Sequence, residues 1–97
     1  MNMQPRKVLE SLENLAEKLG VEIVYEKLID EEFSVKGGIC KVQKNYRIFI
    51  DRSESMEGRI KILARSLSFF NTEDIYILPF IREILEMARE KDYRKDY

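Results

Sequence analysis

Few side chains in this sequence could take part in catalysis. It contains no histidine, and Cys40 is its single cysteine. The absence of histidine excludes Ser-His and Cys-His catalysis, imidazole general bases and the common zinc sites. Any chemistry would have to use carboxylates, lysine, tyrosine or Cys40. We expect no catalytic residue, no metal ligand and no cofactor, and we favour a protein that is not an enzyme.

Cys40 follows the glycine pair Gly37 and Gly38 after one intervening residue. Glycines let a ligand approach the backbone, and a reactive thiolate also needs a helix N-terminus or a nearby cation. The commoner role is that of a small hydrophobic side chain buried in a strand, and we expect that role here. The glycine pair predicts a bulge or turn with positive φ, because a strand follows it, whereas a phosphate cradle needs a helix there.

Basic side chains are concentrated in residues 33–52, which hold five of them against the single acid Asp51. Cations beside exposed aromatic rings are used to hold phosphates and stack bases. A pI near 5.6 argues against nucleic acid, and the charges could instead discourage edge-strand aggregation or pair with the acidic first segment. The possible binding surface comprises Lys36, Lys41, Lys44, Tyr46, Arg47 and Arg52.

The acids Asp30, Glu31 and Glu32 are adjacent in sequence. Adjacent carboxylates are typical of a solvated loop, whereas an acid–base pair needs two groups that converge from separate positions. We therefore assign no chemistry to them.

The elements that position these residues follow from hydrophobic spacing. Pro5 begins a predicted helix over residues 5–19, which Gly20 ends as a left-handed cap. Alternation predicts strands at residues 21–26, 39–43 and 46–50, with a turn at Lys44–Asn45. Residues 33–35 are either a further short strand or the beginning of a longer one interrupted at Gly37–Gly38. A helix capped by Asp51 or Ser53 carries an apolar stripe from Met56 to Phe70, and a last helix begins at Pro79.

This order predicts an α+β fold, α-β-β-β-α-α, with a three-stranded antiparallel sheet packed on helices. At 97 residues the chain forms one small domain over 1–97, and the polar segment 91–97 is expected to be a frayed tail. No apolar run is long enough to span a membrane, and the start lacks a signal-peptide pattern, so we expect a cytoplasmic protein. Abundant Lys, Glu and Ile give it a thermophile-like composition.

Two resemblances rest on the ribbon and the helix after it. The sequence resembles a family of small uncharacterised bacterial proteins with a Gly-Gly-hydrophobic-Cys ribbon. The resemblance is carried by the run Gly37-Gly38-Ile39-Cys40, the strand up to Arg52 and the segment Tyr76-Ile77-Leu78-Pro79. That resemblance covers about residues 8–90 and implies no activity.

The same order is similar to the compact zinc metallopeptidases related to the ImmA regulators, whose helix carries His-Glu-x-x-His. Here Arg65 and Phe69 stand at the two metal-ligand positions, and Ser66 stands at that of the glutamate. The resemblance therefore implies the scaffold without its site.

The function that we expect is a non-enzymatic protein-interaction or regulatory module, with a protein partner or a homodimer. The segment 75–80 is the densest apolar stretch and is either a buried connection or an interface. Alternatives are a nucleic-acid-binding module using the basic hairpin 36–52 and an inactive zincin-like scaffold. An enzyme would be favoured if Cys40, Arg65 or Ser66 lined one open pocket.

Overall fold

The computed structural model describes residues 3–29 and 35–95, with side chains described as far as Glu90. The predicted order α-β-β-β-α-α is confirmed. The elements are α1 (Pro5–Lys18), β1 (Glu22–Glu26), β2 (Gly37–Val42), β3 (Asn45–Asp51), α2 (Met56–Leu67) and α3 (Pro79–Lys95). None of the described helices is both long and apolar enough to cross a membrane.

Helix α1 ends as its sequence predicts. Gly20 has a φ of 73°, the left-handed conformation that glycine adopts without strain. Its N–H donates to Glu17 O, and the N–H of Val21 donates to Ala16 O, the hydrogen-bond pattern of a Schellman cap. Val21 is buried, so the cap also directs the chain from the helix into the core.

The sheet is mixed, and the prediction of an antiparallel sheet was wrong. Its strand order is β1-β3-β2, with β1 parallel to β3 and β2 antiparallel to β3. The N–H of Arg52, just after β3, donates to Glu26 O at the end of β1, so the two carboxyl ends lie together. The β2–β3 hairpin joins strands that are adjacent in sequence, whereas the parallel pairing joins β1 to β3, and β2 lies between these two strands in the sequence.

The hairpin turn lies one residue earlier than predicted. Val42 pairs with Asn45, which leaves Gln43 and Lys44 as the two turn residues. Gln43 has a φ of 59°, the only positive φ among the described non-glycine residues. Asparagine was expected to take that conformation, but Asn45 belongs to β3.

The expected bulge or turn at the glycine pair is also absent. Gly37 and Gly38 pair in regular register with Ile50 and Phe49, and neither has a positive φ. Of the predicted strand at 33–35, Val35 is not in a strand and the other two residues lie outside the described ranges.

The core lies between one face of the sheet and the helices. Ile48 and Ile50 of β3 are fully buried, and Ile23 and Ile39 flank Ile48 on that face. The other face carries Val24 and Phe49 with Cys40 and Arg47. The buried apolar side chains are Val8, Leu9, Leu12, Leu15, Ala16, Val21, Ile48, Ile50, Leu63, Ala64, Leu67, Ile77, Ile81 and Leu85.

Helix α2 begins later than the predicted caps imply. Its N-cap is Ser55, whose Oγ accepts a hydrogen bond from Gly58 N. At the other end, α3 is tied back to α2 because the Arg89 guanidinium donates twice to Ser68 O, at 3.0 and 2.7 Å. The α3 backbone stays helical through 91–95, part of the segment expected to be a tail, while 96–97 lie outside the described residues.

Candidate functional site

An open cleft of about 640 Å³ lies where the start of β2 meets α2 and α3. Such a volume is within the range of about 300–1,000 Å³ typical of ligand pockets. Most of its lining is apolar. The lining residues are Gly37, Gly38, Ile60, Lys61, Ile62, Ala64, Arg65, Ser66, Ile84, Met87 and Ala88.

The close approach of β2 to α2 depends on Gly37. A β-carbon on this residue would lie 2.5 Å from the carbonyl oxygen of Phe49 and 3.0 Å from Cδ1 of Ile62. Ser66 follows Ile62 by four residues, so both side chains lie on the same face of α2. A stripe of α2 therefore runs below the start of β2 and forms one wall of the cleft.

Ser66 contributes a buried hydroxyl to this wall. Ser66 is 3 % exposed, yet its Oγ makes no hydrogen bond within the described part of the chain. A buried polar group without a partner costs about 1–3 kcal/mol, and such groups in native structures usually serve a purpose. The cleft thus contains a buried hydroxyl, without a partner among the described residues, in a surface that is mostly apolar.

The edge of β2 away from β3, here called the free edge, pairs with no described strand, and Gly37 and Gly38 at its start line the same cleft. Asp51 N donates to Lys36 O at 2.7 Å, which makes Lys36 and Asp51 a hydrogen-bonded pair of the antiparallel ladder. Hydrogen-bonded and non-hydrogen-bonded residue pairs alternate along such a ladder. The N–H and C=O groups of Gly38 and Cys40 therefore point toward β3. The N–H and C=O groups of Gly37, Ile39 and Lys41 therefore point away from the sheet.

The six residues of the predicted binding surface are not brought together. Lys41 and Tyr46 face each other near the hairpin turn, with the Lys41 Nζ 5.5 Å from the Tyr46 ring centroid. The Tyr46 ring also packs edge-on against Phe70, with centroids 5.2 Å apart. Tyr46 therefore already has a cation and an aromatic ring against it.

The remaining four basic residues are spread over both ends of the sheet. Arg47 lies on the face opposite the helices, in an ion pair with Glu22 at 2.9 Å. Lys44 is in the hairpin turn. Lys36 and Arg52 lie at the opposite end of the hairpin, where Lys36 O accepts from Asp51 N and Arg52 follows Asp51. The basic surface is thus divided between the two ends and two faces of the sheet.

Cys40 is exposed, so the expectation of a buried strand residue was wrong. It pairs across the ribbon with Arg47, on the sheet face away from α2. Residue alternation could not show this outcome, because it does not reveal which face of a ribbon the helices cover. Cys40 does not line the cleft.

Asp51 has a structural role that its sequence spacing concealed. It is 2 % exposed, and its Oδ1 accepts from Leu28 N at 2.6 Å and Ile29 N at 2.9 Å. Its Oδ2 accepts from the backbone N–H and the hydroxyl of Ser53. These hydrogen bonds, led by that from the Ser53 hydroxyl, hold the pKa of Asp51 well below its usual range. The carboxylate fastens the chain after β1 to the turn after β3.

A second polar contact, which is partly buried, links β1 to α1. The Tyr25 hydroxyl donates to Glu13 Oε2 at 2.9 Å, and the Arg59 guanidinium lies 4.9 Å from the Tyr25 ring centroid. Burial, and then the hydrogen bond to Glu13 and its charge, raise the pKa of Tyr25 to about 12 against the opposing effect of Arg59. No sequence signal pointed to this contact.

Arg65 and Ser66 both line the cleft, an arrangement that we associated with an enzyme. Nucleophilic catalysis by Ser66 would also need a general base within hydrogen-bond reach. The described lining residues include no carboxylate and no cysteine, and the one lysine among them, Lys61, forms an exposed ion pair with Glu57 at 3.5 Å. Phe69, the other position of the metallopeptidase resemblance, lies beyond the end of α2 and is 68 % exposed.

The apolar segment 75–80 is partly buried. Ile77 enters the core, while Tyr76 is 76 % exposed and Leu78 is 44 % exposed. It therefore serves as a core-packed connection between α2 and α3 that also exposes two large apolar side chains.

No family model, curated protein or solved structure matches this chain. Its function is inferred from the geometry of its own residues.

Proposed function

We propose that this protein is a protein-interaction module that binds an extended peptide segment of a partner along the free edge of β2. The observation that carries the proposal is that the backbone groups of Gly37, Ile39 and Lys41 point away from the sheet, on a strand that begins at the mostly apolar cleft. An added strand would satisfy these groups, as in β-strand addition. Its side chains would alternate between solvent and the cleft.

The cleft suits the side chains of such a strand. The sheet face toward the helices carries Gly37, Ile39 and Lys41 of β2. An incoming strand would place every second side chain on that same face. There they would meet Ile62 on α2 and Ile84 and Met87 on α3. Met87 is 60 % exposed and would be covered by the bound segment.

The alternative functions have weaker support. Nucleic acid needs a contiguous basic surface with free aromatic rings, whereas the basic residues are divided and Tyr46 is already packed. An inactive scaffold related to the zinc metallopeptidases is compatible with this proposal, since such a scaffold would hold a peptide without cleaving it.

Methylation of peptide nitrogens tests the pairing directly. Fluorescein-labelled heptapeptides with a Val-Leu-Val centre are titrated with the full chain, and binding is followed by fluorescence anisotropy. Two sets of alternate residues are N-methylated in separate peptides. Methylation of the set whose N–H groups face β2 should abolish binding, and methylation of the other set should leave binding unchanged.

Equal effects of methylating the two sets of alternate residues, or no binding of any heptapeptide, would overturn the proposal. Labelled DNA and RNA oligonucleotides are titrated in parallel. Salt-dependent oligonucleotide binding without peptide binding would instead establish the nucleic-acid alternative.

A further inference from the structure

We infer that the peptide is acidic toward both of its ends and apolar at its centre. This inference rests on the proposed function and names the class of partner segment. It follows from the charges along β2, from the composition of the cleft and from the unpaired Ser66 hydroxyl.

The charged side chains of residues 35–50, which include β2, are all positive. That stretch contains Lys36, Lys41, Lys44 and Arg47 but no acid. Arg47 is paired with Glu22, which leaves Lys36 near one end of β2 and Lys41 with Lys44 near the other. Complementary charges on a partner would be carboxylates at the two ends of the added strand.

The spacing of these lysines sets the length of the segment. Lys36 and Lys41 are five residues apart, which in a strand is about 17 Å. A segment of six or seven residues spans that distance. Its central residues then lie opposite Gly38 and Ile39, next to the cleft.

The same lysines disfavour a second copy of this chain as the occupant. Pairing of two β2 edges would bring Lys36, Lys41 and Lys44 of both copies to one sheet, and lysine on an edge strand is a recognised means of preventing self-pairing. An acidic segment has the opposite charge and avoids this repulsion. The edge thus selects a partner protein over a homodimer.

The centre of the segment is apolar with one polar contact. Ile60, Ile62, Ile84 and Met87 supply the apolar surface of the cleft. The Ser66 Oγ, which has no hydrogen-bond partner within the described residues, can donate to a backbone carbonyl of the bound segment. Binding would satisfy a group that the free protein leaves unpaired.

A set of three heptapeptides separates this inference from the proposed function. All are acetylated and amidated; the first has a Val-Leu-Val centre with two acidic residues on each side. The second replaces the acids with lysines, and the third replaces the centre with Ser-Gly-Ser. We expect the first to bind roughly tenfold more tightly than the second at low salt, and the third to bind least. The advantage of the first should shrink as salt is added.

Each outcome has a distinct meaning. Equal or tighter binding of the lysine peptide would overturn the inference about charge and leave the proposed function standing. Equal binding of the Ser-Gly-Ser peptide would overturn the apolar part, whereas failure of all three would overturn the proposed function itself. Sedimentation that shows a dimer dissociated by Ile39→Pro, which removes an outward-facing N–H of the edge, would favour the second copy and overturn the inference.

Two exposed methionines provide a matched pair of variants. Met87→Glu places a negative charge at the cleft and should weaken binding of the acidic peptide at least tenfold. Met56→Glu introduces the same charge at an exposed methionine outside the cleft and should leave binding unchanged. Equal effects of the two variants would show that the peptide does not occupy the cleft.

Discussion

Ser66 and Ser68 are equally buried, at 3 % exposure, but only the hydroxyl of Ser68 has a partner among the described residues. Ser68 Oγ donates to Arg65 O at 2.7 Å, whereas Ser66 Oγ makes no hydrogen bond within the described residues. The two serines lie two residues apart at the end of α2, so they form an internal comparison. Ser68 therefore contributes a hydrogen bond to the fold, and Ser66 is the serine to which we assign the contact with the peptide.

Alanine substitutions at these two serines should have different effects on stability. Ser66→Ala removes an unsatisfied buried hydroxyl and should leave the free energy of unfolding unchanged or slightly raised. Ser68→Ala removes a satisfied hydrogen bond and should lower it by about 1 kcal/mol. Urea unfolding followed by circular dichroism measures both, and equal losses would contradict the assignment of Ser66 as unpaired.

Alanine substitutions at the glycine pair should also differ. Gly37→Ala forces a β-carbon against Phe49 O and Ile62, so we expect a loss of about 1–3 kcal/mol in the free energy of unfolding. No atom lies within 4 Å of a β-carbon on Gly38, so Gly38→Ala should be neutral or stabilising by up to about 1 kcal/mol. Thermal unfolding of the two variants decides this, and a tolerated Gly37→Ala would show that β2 and α2 are not so close.

The turn residue Gln43 should be improved by glycine. Its left-handed conformation costs about 1–2 kcal/mol, which exceeds the extra unfolded-state entropy of glycine of about 0.5–1 kcal/mol. Gln43→Gly should therefore raise the free energy of unfolding by about 0.5–1 kcal/mol. Lys44→Gly, at a turn position without a positive φ, should lower it. The opposite order in chemical denaturation would place the turn elsewhere.

The raised pKa of Tyr25 makes stability depend on alkaline pH. An unfolded chain loses the tyrosine proton near pH 10, whereas the folded protein keeps it until about pH 12. Between these values the unfolded state binds fewer protons, so the free energy of unfolding falls as the pH rises.

Tyr25→Phe should flatten that fall and should remove one late-titrating phenol from the absorbance at 295 nm. It should also cost about 1 kcal/mol at neutral pH through loss of the hydrogen bond to Glu13. If the variant instead lost absorbance change near pH 10 and kept the late-titrating phenol, Tyr25 would not be the perturbed group.

The sequence predicted the features that depend on local periodicity. Helix α1 and its Gly20 cap, the order of the six elements and the β2–β3 hairpin all arise from neighbouring residues. The pairing of β1 with β3 does not arise from neighbouring residues. It is fixed by contacts between distant segments, such as those of Asp51 with Leu28 and Ile29, and the spacing of Asp51 resembled a helix cap.

The candidate site was predictable only in parts. The sequence drew attention to Gly37, Gly38, Arg65 and Ser66, all of which line the cleft, but for separate reasons. Their meeting depends on how α2 and α3 pack, to which Arg89 and Ser68 contribute. The exposure of Cys40 was missed because alternation gives two faces of a strand without saying which one is covered.

Amide hydrogen exchange along β2, followed by NMR on the ¹⁵N-labelled chain, tests the central claim most directly. In the free protein the amides of Gly38 and Cys40 should exchange slowly, and those of Gly37, Ile39 and Lys41 should exchange fast. Saturation with the acidic heptapeptide should slow Ile39 and Lys41 by at least about tenfold. Unchanged exchange at both amides in the saturated complex would contradict the claim that a peptide pairs with this edge.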